Sequence, residues 1–237
     1  MLLLLLAACT GTDGGDTAAA ACADDVGNIC TFAGTGDAAW DGDGNDRLAS
    51  AFYWPMKMEL SPYGDPVVLD WNNHRVRRLT ADDTFETIIG DVFPGDGPAD
   101  LSDLEAPGAP GNTVLLNHPT DAIYRPDGML FLVAWHNHKL RTYDPATGNV
   151  IVHCGSGPGF VGDDYEPADG AKMAMPNSGV FDAAGNFYMV DQKNQRIRVL
   201  TPDYTIATIA GNGTKGFVDG AAAEANFSFP TGAQPEP

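Results

Sequence analysis

Three stretches of the chain repeat one phrase: "VVLDWNNHRVRRL" from Val67, "FLVAWHNHKLRTY" from Phe131 and "YMVDQKNQRIRVL" from Tyr188. Aligned on Pro55, Pro119 and Pro176, they share a glycine (Gly64, Gly128, Gly185) and an asparagine (Asn73, Asn137, Asn194) in fixed register. Further columns hold Asp70, Ala134 and Asp191, then Arg75, Lys139 and Arg196, then Arg77, Arg141 and Arg198. Each column has a physical reason. The proline opens a strand where its missing N–H need not enter a ladder. The glycine supplies positive φ to the first turn, and the asparagine is expected to close the second in a left-handed conformation. The third strand alternates, which predicts one buried and one solvated face. A fourth apolar run ends on Gly90, Gly155 or Gly211. Four antiparallel strands per unit, recurring at 64 and 57 residues, specify an all-β fold of β-propeller blades.

Composition agrees. Twenty-eight Gly and 17 Pro among 237 residues supply turns for many short strands. The net charge of −19 repels phosphate backbones and argues against nucleic-acid binding. No apolar run reaches the roughly 18 residues that a membrane-spanning helix needs.

These columns resemble the bacterial NHL-repeat propellers, where a Gly-rich lead-in precedes a Pro-started strand and a "V-A-D-x-x-N-x-R-I-R" phrase. The lead-ins here are "GTGDAAWDGDGNDRLASAFYWP", "GDVFPGDGPADLSDLEAPGAPGNTVLLNHP", "GSGPGFVGDDYEPADGAKMAMP" and "GNGTKGFVDGAAAEANFSFP". The resemblance covers 28–237 and implies a propeller of six blades. About three units are present, so the expectation is an open arc of a partial propeller, with ~130 to 190 residues of further blades elsewhere. A lone outer strand is expected at Asn28–Ala33, "NICTFA". The family includes binding modules, enzyme scaffolds and sensors, so the fold alone implies no reaction.

The first residues, 1–9, read as an export signal: Leu2–Ala8 is apolar and Leu6-Ala7-Ala8-Cys9 resembles the bacterial lipobox. Cys9 is then the lipidation site, and 10–27 forms a flexible tether. Thr10 after Cys9 resembles the outer-membrane sorting pattern of lipoproteins. The localisation expected is the bacterial cell envelope as an outer-membrane lipoprotein, or else the periplasm or exterior. Membrane contact would run through the lipid anchor only. In an exported chain Cys22 and Cys30 are close enough for a loop-closing disulfide, and Cys154 reads as a buried thiol.

No catalytic motif stands out. G-x-S-x-G is absent. Asp41, Asp43 and Asn45 alternate like the start of a calcium loop, but Asp46 and Phe52 stand where an EF-type loop needs Gly and Glu, which leaves only a loose calcium site open. Related amidating lyases place zinc on histidines heading several blades; the equivalents here are Trp54, Met175 and Phe229 beside His118. "ELSP" at Glu59 does not match the opening expected of gluconolactonase-like propellers. The recurring Asp70 and Asp191 read as blade packing. The ligand-binding candidates are instead the residues of one face: Trp71, His74, Trp135, His136 and His138 in second turns, Trp54 and His118 heading inner strands, and Asp43, Asp96 and Asp163 in the lead-ins. The function expected is a non-catalytic module binding a protein, peptide or glycan at the envelope without a resident cofactor. The alternative is a metal-dependent lactonase- or lyase-like propeller enzyme completed by further blades.

Overall fold

The computed structural model describes residues 29–91, 93–163 and 170–234. The expected signal, Cys9, the tether and Cys22 lie outside the described residues. Cys30 is disulfide-bonded, and Cys154 is buried.

Blade one contains β1 (Pro55–Leu60), β2 (Pro66–Asp70), β3 (Arg75–Leu79) and β4 (Phe85–Ile89), paired in that order. In the middle blade β5 (Ala109–Pro110) precedes β6 (Pro119–Tyr124), β7 (Leu130–Ala134), β8 (Lys139–Asp144) and β9 (Asn149–Cys154). Blade three holds β10 (Pro176–Phe181), β11 (Phe187–Asp191), β12 (Arg196–Leu200) and β13 (Ile206–Ala210). All pairings between the named strands are antiparallel, and β1, β6 and β10 pack side by side as the inner strands. The protein is an all-β propeller with three blades among its described residues.

Strand alternation builds the core. Leu130 and Leu132 of β7 pack with Val67, Leu69 and Val76 of blade one. The intervening Phe131 and Val133 pack with Phe187 and Met189 of blade three. Successive side chains point to opposite faces, so a blade sandwiched between two others buries both. This is why β7 is apolar throughout.

Three expectations are corrected. Residues 29–33 form no strand; this stretch instead touches the first lead-in, where the Arg47 guanidinium donates to the Phe32 carbonyl. The left-handed residue of the second turn is the one after the asparagine: His74, His138 and Gln195, at φ 56°, 57° and 54°. Each asparagine amide instead ties its turn to the lead-in, donating to the carbonyls of Ala39, Gly95 and Gly159 at 2.6–2.8 Å. The third strand has no solvated face either, because the lead-in folds over it. Arg77, Arg141 and Arg198 are 0% exposed.

A buried guanidinium needs charge and hydrogen-bond partners. Arg77 and Arg198 find them in their own blades, at 3.6 Å from Asp70 and 3.2 Å from Asp191. Burial raises both carboxyls above the usual range even though Asn73 and Asn194 donate to them. The middle blade has Ala134 at that column and imports its acid. Asp103, brought in by the 3-10 turn at Ser102–Leu104, lies 3.1 Å from Arg141. The N–H of the residue two before each proline follows the same substitution. Tyr53 and Ala174 donate to Asp70 and Asp191, whereas Asn117 donates to the Asn137 side chain.

Candidate ligand-binding face

The face that carries the second turns is assembled by a repeated latch. The residue before each strand-opening proline is left-handed (Trp54, His118 and Met175), as is Phe229 before Pro230, all at φ 50–55°. Such a backbone is uncommon for bulky residues and persists only where surrounding contacts hold it. For His118, Met175 and Phe229 the preceding blade's turn does so. His118 N–H donates to His74 Nδ1 (3.1 Å), Met175 N–H to His138 Nδ1 (3.0 Å) and Phe229 N–H to Gln195 Oε1 (2.7 Å). Adjacent blades are thereby pinned, and Trp54, His118 and Met175 head the three inner strands.

Six of the candidate residues come together there. Trp54 stacks on Trp71 with centroids 5.9 Å apart and planes 24° from parallel. Trp71 touches His118 at 4.2 Å and Trp135 at 6.3 Å. Trp135 stacks on His136 at 3.9 Å, and His74 meets His118 edge-on at 4.3 Å. Trp54 is 63% exposed, while Trp71 and Trp135 are half-buried. His138 joins none of these rings and serves the latch to Met175.

The hydrogen bonds fix the tautomers. His118 Nε2 lies 3.2 Å from Asn72 Oδ1, which can only accept, so the His118 proton is on Nε2. His118 Nδ1 is 2.9 Å from His136 Nδ1 and must accept, so His136 donates from Nδ1. His136 Nε2 is then a lone-pair acceptor, with no hydrogen-bond partner among the described residues. All three rings are neutral at pH 7. Burial, reinforced by the neighbouring His74 and His136, lowers His118 from 6.5 to about 4. His74 and His136 are lowered as well, chiefly by burial.

These shifts predict acid sensitivity. Between pH 6.5 and about 4 the unfolded chain binds a proton at His118 that the folded protein does not, so stability falls as pH falls through that window. Urea midpoints at pH 7.5, 6 and 5 should decline in order, and His118→Gln should flatten the decline. An identical slope in the variant would assign the effect to other groups.

The lead-in acids pair with the blade arginines while staying partly exposed. Asp43 accepts from the Thr87 hydroxyl (3.0 Å) and lies 3.9 Å from Arg77. Asp96 binds Lys139 and Arg141 at 2.6 and 2.8 Å, and Asp163 binds Arg198 at 3.2 Å. Burial pushes the Asp96 carboxyl up, but Lys139 and Arg141 outweigh it and hold the group below its usual range. These carboxylates support the arginines rather than line the aromatic surface. Asp41 is occupied too, accepting from Ala51 N–H at 2.8 Å.

A metal at the heads of the inner strands does not fit the residues there. Of Trp54, His118, Met175 and Phe229 one is a histidine, and no group of three His, Cys, Asp or Glu able to hold a metal ion occurs among the described residues. A catalytic zinc needs three protein ligands. Sequence reasoning missed Asn72, which sets the tautomer chain, and Gln192, which accepts from Trp135 Nε1 at 3.2 Å. Nothing in their columns marks them.

No protein-family model matches the chain. An auxiliary nutrient binding protein from Bacteroides thetaiotaomicron superposes with a TM-score of 0.53 at 23% identity, over 73% of this chain and 40% of that one. A structural genomics protein of unknown function from the same organism gives 0.53 at 21%, with the same coverage. At such identity the likeness shows the fold alone. It is a propeller fold. Among curated proteins, Suppressor of Quenching 1, chloroplastic, from Arabidopsis thaliana is 24% identical over 161 residues, which is 67% of this chain and 15% of that protein. The chain thus spans well under half of each relative. No helix among the described residues is long and apolar enough to cross a membrane.

Proposed function

We propose that this protein is an NHL-type propeller of the bacterial cell envelope, lipid-anchored through Cys9, that binds a ligand on its Trp/His face without catalysis. One observation carries the reading: two consecutive second turns and two strand heads converge into one aromatic surface, with Trp54 63% exposed at its edge. Exposed tryptophan on a rigid scaffold is the side chain most enriched at binding hot spots. The nutrient-binding role in the description of one structural neighbour agrees with an extracytoplasmic binding protein. A Cys22–Cys30 disulfide would fasten the tether to the first lead-in.

Two measurements test this. Expressed in a bacterial host, the protein should sediment with membranes, and Cys9→Ser should release it; equal partition of both forms would remove the anchor. Protein, peptide and glycan fractions of the envelope should be titrated separately against tryptophan emission. One fraction should give a saturable shift that Trp54→Gly weakens about tenfold, glycine being free to keep the positive φ. A response unchanged in Trp54→Gly would place binding elsewhere.

A further inference from the structure

We propose that the ligand of this face is a neutral glycan, whose pyranose ring lies against Trp54 while one of its hydroxyls donates to His136 Nε2. This inference rests on the binding reading above and narrows it to one chemistry. Three observations converge. The indoles form a stack rather than a cage: Trp54 lies 24° from Trp71, Trp71 is tilted 38° from Trp135, and Trp54 at the end is 63% exposed. The exposed Trp54 indole at the end of such a stack offers a flat apolar surface, which matches the C–H face of a sugar ring. A quaternary ammonium is favoured by walls that surround it and by nearby carboxylate. The carboxylates of Asp43, Asp96 and Asp163 are instead turned to Arg77, Arg141 and Arg198.

The second observation is the acceptor. The chain from Asn72 through His118 to His136 leaves a lone pair on His136 Nε2, in the ring stacked on Trp135 of the same cluster. A lone pair selects a ligand that donates, as a hydroxyl does and a trimethylammonium cannot. A site built to accept a hydroxyl proton discriminates strongly against ligands without one. Third, the net charge of −19 repels anionic ligands, so uronates and sulfated or phosphorylated glycans are disfavoured.

The test uses the full chain and tryptophan fluorescence. The probes are short neutral oligosaccharides of the cello, malto, xylo and manno series, with choline and a proline-rich peptide as the other arms. At least one oligosaccharide series should give a saturable shift. Trp54→Gly should weaken it about tenfold. His136→Phe keeps the stack on Trp135 but deletes the acceptor, and should weaken it about fivefold. No saturable response to any of the four series overturns the proposal, as does a response that both variants leave unchanged. Saturation by choline or the peptide, lost in Trp54→Gly, overturns the glycan while leaving the binding face in place. Absence of a Trp54-dependent response in every arm, with envelope fractions included, removes both readings.

Discussion

Asp103→Asn should destabilise the protein by about 3 kcal/mol, the low end of the loss when one partner of a buried ion pair is removed. For a chain of this size that is a fall in Tm of roughly 6–12 °C. The low end applies because Arg141 keeps Asp96, at 2.8 Å, after Asp103 loses its charge. The same blade supplies the rescue. Arg141 Nη1 is buried without a hydrogen-bond partner among the described residues. In the flanking blades that atom faces Asp70 (3.6 Å from Arg77 Nη1) or Asp191 (3.2 Å from Arg198 Nη1). Ala134→Asp in the Asp103→Asn background should therefore recover part of the loss, while in the wild-type protein it adds a third acid and should be neutral or destabilising. Thermal or urea melts of the four proteins would show a coupling of about 1 kcal/mol or more. Strict additivity would mean that Asp103 does not replace the missing column acid.

Gly155→Ala should cost more, about 4 kcal/mol or enough to abolish soluble protein. Its φ is +105°, and an added Cβ would stand 2.3 Å from the His138 carbonyl oxygen and 3.0 Å from Lys139 Cα. Both obstacles are backbone: one is in the turn whose imidazole latches Met175 and the other opens β8 directly after it. Gly90 and Gly211, the equivalent strand ends, meet the carbonyls of His74 and Gln195 at 2.6 and 2.3 Å. Gly128→Ala is the control: φ is +87° but nothing lies within 4 Å of the new Cβ. Only the left-handed penalty applies there, about 1–2 kcal/mol. Equal melting shifts for the two variants would show that the fourth-strand glycines serve conformation rather than close approach.

The sequence revealed the blades because each column answers a local demand. Pro55, Gly64 and the apolar run Val67–Leu69 are dictated by the strand and turn that contain them. The candidate face was legible for the related reason that turns and lead-ins share one side of a blade. What stayed hidden depends on groups far apart in the chain. Arg75-Val76-Arg77 has the pattern of a half-solvated strand, and only the lead-in folded across it buries Arg77 and sets Trp40 over Arg75 at 3.9 Å. Asp103 had no column to mark it, since its blade substitutes it for a residue 31 positions later. His74 and His138 read in the sequence as ligand-binding candidates, yet their Nδ1 atoms accept from backbone N–H groups of the next blade. The asparagines were assigned to left-handed turns; the side-chain bridges they make instead require lead-in carbonyls that no local pattern places.

The central claim is that ligand meets the Trp54–Trp71–Trp135 surface. The chain has four tryptophans, and Trp40 is an internal control, packed beneath Arg75 and Arg77 at 3.9 and 4.8 Å in the first lead-in. Fluorotryptophan labelling gives one fluorine NMR resonance per indole, assigned by single substitutions. On titration with the ligand fraction that shifts tryptophan emission, the resonances of Trp54, Trp71 and Trp135 should move together, Trp54 most, while Trp40 holds still. Saturated binding with those three unmoved, or with Trp40 alone responding, would contradict the account.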